Sequence, residues 1–370
     1  WESTSALQKM FMEWLNNERL KSIITFPVET VNLLVQDGEY ADKESAEWAA
    51  EMWSKGASFF MYQSDSVDSL SSCCRLRNAV EHEAFSYTLG AGGIMTGSKA
   101  VISMNLNRIV QDWYKENKCS LSDYVTEITN RVHLYLEAFN NKIWDDFNAG
   151  LLTIYSADFI DLDKQYLTVG VNGFVEAAEF LGIDVHFADP KYRQFSADIL
   201  GTIENLNRQH KKDHIKYNLE FVPGESLGHK FAKWDKEDGY QSARECHNSY
   251  FYRVEDNIDA LQRFFYQGEG FADICSGGVA LHNNLSDHLT KEQYLMLMDV
   301  AVQAGCNYFT YNIPNTICNE CGYISKHMLN ECPKCHSHDL DYATRIIGYL
   351  KRISNFSEVR QREAAKRHYS

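Results

Sequence analysis

Proline is scarce in this chain, with five in 370 residues. No proline-, glycine- or serine-rich stretch interrupts it, which excludes long flexible linkers and predicts a compact bulk. No apolar run reaches the roughly 18 residues that a membrane-crossing helix needs. An excess of positive charge is also missing. Lys and Arg number 36 against 51 Asp and Glu, a formal net charge of −15. Such a surface is a poor partner for a nucleic-acid polymer. It does not exclude a nucleotide, which needs only a local cluster of donors. The amino terminus shows no secretory signal pattern. Ten cysteines without an export signal predict a reducing cytoplasm and free thiols.

What is present is an ordinary apolar fraction, 44%, in a length that suits one large α/β domain or two ordinary ones. Residues 1–20 read as an amphipathic helix with Leu7, Met10, Phe11 and Trp14 on one face. Residues 22–35 are β-rich and interrupted by Pro27; 42–55 are predicted helical, and 58–62 a buried strand. A polar loop then delivers Cys73 and Cys74, and Gly90, Gly92, Gly93 and Gly97 mark another. Further strands are predicted at 100–106, 166–170, 215–222 and 308–312, and helices at 120–150, 174–181, 190–212 and 295–304. This alternation predicts an α/β architecture with a largely parallel sheet. No short internal repeat is visible.

Two CxxC knuckles, Cys318 with Cys321 and Cys332 with Cys335, stand near the end. Two such pairs complete a tetrahedral four-thiolate shell that suits zinc, and Gly322 and Pro333 fit the turns. His327, His336 and His338 are alternative ligands, and disulfides or an iron–sulfur cluster are the competing readings. A closed cysteine shell leaves no position for substrate, so the site reads as structural and as positioning the segment behind it. That segment is Arg345-Ile-Ile-Gly348-Tyr349-Leu350, succeeded by a basic tail containing Arg360, Arg362, Lys366 and Arg367. The tail reads equally as a solvated helix end or as an arm docked on the acidic body or a partner. A glycine Cα can flatten into a radical, because it carries no side chain and its amide and carbonyl delocalise the electron. A thiol can exchange a hydrogen atom with it. The blander readings are a turn or helix cap for Gly348 and buried structural thiols for Cys73-Cys74.

The glycine segment behind a four-cysteine ribbon resembles the anaerobic (class III) ribonucleoside-triphosphate reductases, members of the glycyl radical enzyme family. Supporting segments are Thr25-Phe-Pro-Val28, Ser72-Cys-Cys-Arg-Leu76, Thr168-Val-Gly-Val-Asn172-Gly173, Pro223-Gly-Glu225-Ser226, His247-Asn-Ser249, and Ser276-Gly-Gly278 with His282. The resemblance implies the later part of a ten-stranded α/β barrel over residues 1–312, a zinc ribbon over 313–340, and a glycyl radical loop with tail over 341–370. The upstream ATP-binding, allosteric domain and first strands of such enzymes are not recognisable here. A fragment or a split protein with an upstream partner chain is therefore expected.

The same resemblance implies a mechanism. A radical-SAM activating enzyme, with its 4Fe–4S cluster and S-adenosylmethionine, takes a hydrogen atom from Gly348. Cys74 or Cys73 then becomes the thiyl radical that attacks the 3′ position of a ribonucleoside triphosphate. Formate, or alternatively a thiol system, is the expected reductant, and the product is a deoxyribonucleotide for DNA synthesis. Asn105 is the candidate active-site asparagine. Gly277, Gly278, Asn172 and Gly173 are candidates for the triphosphate, with His282 and Glu225 as neighbours. Zinc is the one expected bound cofactor, with no tightly held organic one, and a homodimer is the expected assembly. Two other classes stay open. One is a different glycyl radical enzyme acting on a small substrate, for which a ribbon-free end would speak. The other is a non-catalytic zinc-ribbon binding protein, for which a basic surface would speak.

Overall fold

Long buried runs and amphipathic stretches succeed each other along the chain, and the computed structural model resolves them into strands and helices. It describes residues 2–65, 69–71, 77–79, 97–222, 226–346 and 348–370. The chain forms two compact units, neither continuous in sequence. One comprises residues 1–65, 254–265 and 280–370, the other 66–253 and 266–279.

The first unit is built on a five-stranded mixed sheet in the order Glu39–Tyr40, Thr30–Gln36, Phe60–Ser64, Tyr308–Asn312, Leu281–Asn284. Thr30–Gln36 runs parallel to Phe60–Ser64, which meets Tyr308–Asn312 antiparallel; Leu281–Asn284 is parallel to the latter. The inner strands are buried along almost their whole length. That is why Phe59-Phe-Met-Tyr62 and Tyr308-Phe-Thr-Tyr311 show no polar alternation. Phe60 stacks on Tyr308 at 5.0 Å between ring centres. Helices Lys43–Ser54, capped by Asp42, and Lys291–Gln303, with a Thr290/Gln293 capping box, pack on one another.

The first helix, Glu2–Glu18, departs from expectation. It buries Met12 and Leu15, while Leu7, Met10, Phe11 and Trp14 are 42–61% exposed. Periodicity marks an apolar stripe but does not say which stripe meets the rest of the unit. A second departure lies at the carboxyl end. Four antiparallel strands, in the order Ile324–Ser325, Asn315–Cys318, Leu340–Arg345, Leu350–Arg352, form a sheet that was not expected. The sheets of this unit are therefore not largely parallel. These strands are only two to six residues long, too short for alternation to show among polar knuckle residues.

The second unit carries an all-parallel sheet of Gly97–Asn105, Gln165–Asn172 and Tyr217–Phe221. The helices Leu106–Glu116 and Leu121–Asn148 connect the first two strands. The expected single helix at 190–212 is Pro190–Ser196, a π turn at Ala197–Gly201, and Thr202–Gln209. Val169, Val171, Leu219 and Phe221 share one fully buried face. Thr168, Gly170, Asn172, Asn218 and Glu220 share the other, which is polar. At Gly170 a Cβ would lie 2.4 Å from Val222 Cγ2 and 2.7 Å from Ser103 Oγ, so close strand approach requires glycine. Among the described residues, no helix is long and apolar enough to cross a membrane.

Candidate functional site

The four ribbon cysteines converge. Their Sγ atoms all lie within 4.8 Å of one another. The pairs Cys318–Cys335 and Cys321–Cys332 are each 3.5 Å apart. A disulfide needs about 2.05 Å. A tetrahedron with 2.3 Å metal–sulfur bonds has edges of about 3.8 Å. The spacing therefore fits one zinc-sized ion, and a cluster giving each cysteine its own iron would hold the sulfurs further apart. The knuckle turns are set locally: Gly322 adopts φ +71° and donates its N–H to Cys318 O, while His336 N–H returns to Cys332 O. The neighbouring imidazoles are engaged elsewhere. His327 pairs with Asp287, His336 with Glu331, and His338 with Asn330 O.

The cluster is wired to the glycine through a sheet. Cys318 ends the strand Asn315–Cys318 and lies opposite Leu340 in the strand Leu340–Arg345. That strand pairs with Leu350–Arg352, with Arg345 opposite Leu350. Gly348 thus sits in the turn of a hairpin, three residues beyond Arg345, which is itself five residues or about 17 Å of strand from the metal end. Ile317, Ile324, Ala343 and Leu350 form a buried cluster beneath it. Ile346, Phe356 and Ala364 form another on the tail side.

The hairpin is fastened from several directions. The Asn312 side chain acts as an extra strand partner for Arg345: its Oδ1 accepts Arg345 N–H at 3.0 Å and its Nδ2 donates to Arg345 O at 3.1 Å. Arg367, from the tail, donates to Arg345 O at 3.3 Å and to Ile346 O at 2.8 Å. Arg360 and Arg367 are both buried and pair with Glu363. The basic tail shows part of each reading: Arg362 and Lys366 are exposed on the helix end, while Arg367 bonds the chain's own glycine hairpin. Arg345 is itself 1% exposed. It donates to Gly348 O at 3.0 Å, to Ser58 O at 3.1 Å, and twice to Ser58 Oγ. Burial, with Arg19 nearby, pushes its pKa down to about 9, so it remains a cation near neutrality. Gly348 is half-buried, and the ring of Tyr349 lies 5.5 Å from Phe26.

The other candidate residues belong to other elements or lie outside the described residues. Cys73, Cys74 and Glu225, with Gly90, Gly92 and Gly93, lie outside the described residues. Asn105 ends its strand and caps the next helix, accepting from Arg108 N–H at 3.3 Å. Its Nδ2 donates to Asp235 at 2.8 Å. Both ends of the amide are thus engaged, as expected for a satisfied asparagine. Asp235, fully buried, also accepts from Asn107 and Arg108 at 2.8 and 2.9 Å, and His247 Nε2 lies 3.4 Å away. Burial lowers the His247 pKa to about 4, which keeps the ring neutral.

Asn172 lies opposite Asn105 in the register and keeps a buried Oδ1 without a partner among the described residues. Gly173 has φ +80°, with His247 Nδ1 3.0 Å from where a Cβ would stand, and its N–H donates to Asn248 O. Gly277 and Gly278 donate their N–H groups to Leu219 O and Cys275 O. A Cβ at Gly277 would lie 2.7 Å from Leu219 O. Gly277 therefore lets this turn approach the strand Tyr217–Phe221, and both N–H groups are engaged within the fold rather than free to cradle a phosphate. His282 is buried in Leu281–Asn284 beside Phe60, in the other unit from Gly277 and Gly278. Sequence reasoning missed Asn312, Ser58 and Asp235 as holding residues. Each is an ordinary polar residue whose partner is remote in sequence, and no local signal marks it.

The family model for anaerobic ribonucleoside-triphosphate reductase matches residues 2–369. No curated protein matches the sequence. Among solved structures, one titled anaerobic ribonucleotide reductase is similar at TM-score 0.85 and 28% identity, over 100% of this chain and 59% of that one. The anaerobic ribonucleotide reductase of Thermotoga maritima, in complex with dATP and CTP, is similar at 0.81 and 29%, over 98% and 59%. A glycyl radical enzyme from Archaeoglobus fulgidus shares the fold at 0.60, with 11% identity over 96% and 54%. The chain spans about 59% of the length of the first two.

Proposed function

The chain belongs to the anaerobic ribonucleoside-triphosphate reductase family, and from that premise we propose that it carries the radical-storing machinery for reducing ribonucleoside triphosphates to deoxyribonucleotides. The observation that carries the proposal is the glycine hairpin. One strand of the hairpin is laddered to a metal-binding knuckle, and its tip carries Gly348.

In this reading an activating enzyme of the radical-SAM class removes a hydrogen atom from the Gly348 Cα. The resulting radical takes a hydrogen atom from a thiol, Cys74 or alternatively Cys73, and becomes glycine again. The thiyl radical abstracts the 3′ hydrogen of the substrate, water leaves from the 2′ carbon, and formate supplies two electrons. Zinc, held by Cys318, Cys321, Cys332 and Cys335, is structural and fixes the hairpin's base. The strands belong to the ten-stranded barrel of glycyl radical enzymes. The polar ends of the parallel strands receive the nucleotide there, with Asn172 offering a free acceptor and Asn105 holding the strand end. A homodimer is the proposed assembly, and nucleotide effectors are proposed from the dATP and CTP complex of the relative.

Anaerobic activation followed by electron paramagnetic resonance tests the reading. The expected result is a doublet that disappears in Gly348→Ala, together with deoxyribonucleotide formation that is lost in Cys74→Ser. Absence of a radical in the fully reconstituted wild-type enzyme would refute it. Turnover retained in Cys74→Ser would pass the thiyl role to Cys73.

A further inference from the structure

Gly348 does not accept its hydrogen bond from a neutral group. The donor is a guanidinium that is 1% exposed and has no carboxylate pairing with it among the described residues. The nearby acid, Glu29, is already paired with Arg19 at 2.9 Å. Burying a charge in this way costs several kcal/mol unless something repays it. Resting on the reading of Gly348 as the radical store, we propose that Arg345 is a positioning residue that tunes the Gly348 radical through its carbonyl oxygen.

The chemistry runs through the delocalised electron. When the Cα–H bond of Gly348 breaks homolytically, the hydrogen leaves with one electron to a carbon-centred radical supplied by the activating enzyme. The electron left on Cα is shared with the amide nitrogen, which donates density, and with the carbonyl, which accepts it. A positively charged donor on the carbonyl oxygen strengthens the accepting side. It therefore stabilises the radical more than the closed-shell glycine. In the reverse exchange the radical takes a hydrogen atom from a thiol, leaving a thiyl radical. Arg345 keeps all its protons throughout, so no further reactant is needed.

The donor is also held in place before the reaction, as an electrostatic stabiliser should be. Ser58 Oγ accepts from Nε at 3.2 Å and from Nη2 at 2.9 Å, and Ser58 O accepts from Nη2 at 3.1 Å. These three bonds fix the guanidinium plane, with its centre 5.0 Å from the ring of Phe60. A role as a simple staple does not account for the charge. Asn312 already holds both backbone groups of Arg345, and Arg367 holds Arg345 O and Ile346 O. A neutral side chain would staple the turn with a smaller desolvation cost.

The test compares Arg345→Lys, Arg345→Met and Ser58→Ala with wild type in the intact, anaerobically activated enzyme, after zinc content and folding have been checked. A lysine keeps the charge but cannot hold Ser58 and Gly348 at once in one planar fork. The expected result is an altered α-proton splitting in both Arg345 variants. The radical lifetime in the presence of thiol should shorten by about tenfold, as loss of a charge-assisted hydrogen bond implies. Ser58→Ala should fall between. Folded variants with wild-type splitting and lifetime would overturn the proposal and leave Arg345 a staple. If the Arg345 variants do not fold, an unchanged spectrum and lifetime in Ser58→Ala overturns it equally. A wild-type enzyme with no doublet sinks the radical reading itself, and that control tells the two failures apart.

Discussion

Each unit holds a buried charge, Asp235 on the helix Leu227–Glu237 and Arg345 at a strand end, and the two are treated differently. In the parallel-sheet unit the charge is Asp235, which accepts from Asn105, Asn107 and Arg108 within 2.9 Å. Its negative charge is matched by a cation, and its oxygens are satisfied. In the glycine unit the charge is Arg345, whose partners are a serine and a peptide carbonyl. A matched, saturated buried charge ties elements together. An unmatched one held between Ser58 and the Gly348 carbonyl stores an electrostatic field at that place. The first therefore reads as architecture and the second as chemistry, although both rest on local hydrogen bonds of similar length.

That contrast can be broken at several points. The largest effect should come from the four-cysteine site to which one strand of the glycine hairpin is laddered. Cys318→Ser, or chelation, should remove zinc and unfold the ribbon, since structural zinc binding contributes about 10 kcal/mol or more. Metal analysis with hydrogen exchange over 340–352 checks this, and a variant that keeps full zinc would contradict the four-thiolate shell. Next is Asp235→Ala, which takes an acceptor from two amides while Arg108 keeps its pairing with Asp238. It should lower stability by about 3–5 kcal/mol in a denaturant titration, as polar groups left without partners each cost about 1–3 kcal/mol.

A third effect is pH-dependent. Burial raises the Glu176 pKa from 4.5 to about 7, against the pull of Arg244. The folded state therefore holds a proton that the unfolded state releases. That contribution is fully present below about pH 4.5 and is lost as pH rises through 7. Glu176→Gln should gain up to about 3 kcal/mol relative to wild type between pH 4.5 and 8. Parallel stability curves for the two proteins would refute the shift. The smallest effect is expected from Asn312→Ala, about 1–3 kcal/mol from backbone groups of Arg345 left unpaired. It should raise exchange at Arg345 N–H without altering the splitting of the Gly348 radical. A changed splitting would make Asn312 part of the tuning and blur the contrast.

Much of this was legible in the chain itself. The patterns at 58–62, 166–170 and 308–312 produce strands at Phe60–Ser64, Gln165–Asn172 and Tyr308–Asn312, close to where they are predicted, because burial on one or both faces is a local property. The cysteine spacing likewise predicts the cluster, since a CxxC turn brings two sulfurs together without help from the rest of the fold. The exposed stripe of the first helix and the antiparallel sheet at the carboxyl end were not legible. The first depends on which neighbour is present, the second on pairing between segments about 25 residues apart. The same limit applies to Gly277 and Gly278, whose glycines answer to a neighbouring backbone rather than to a ligand.

By itself, then, the sequence determined the family and the group of four cysteines that could hold a metal, and it singled out Gly348. These are short spacings and residue types whose chemistry is intrinsic. Only the tertiary structure decided what surrounds that glycine. Ser58, Asn312 and Arg367 come from segments far apart in the chain, and nothing local foretells that they meet Arg345. It is long-range packing that excludes water from the guanidinium and leaves the Gly348 carbonyl as one of its few remaining partners.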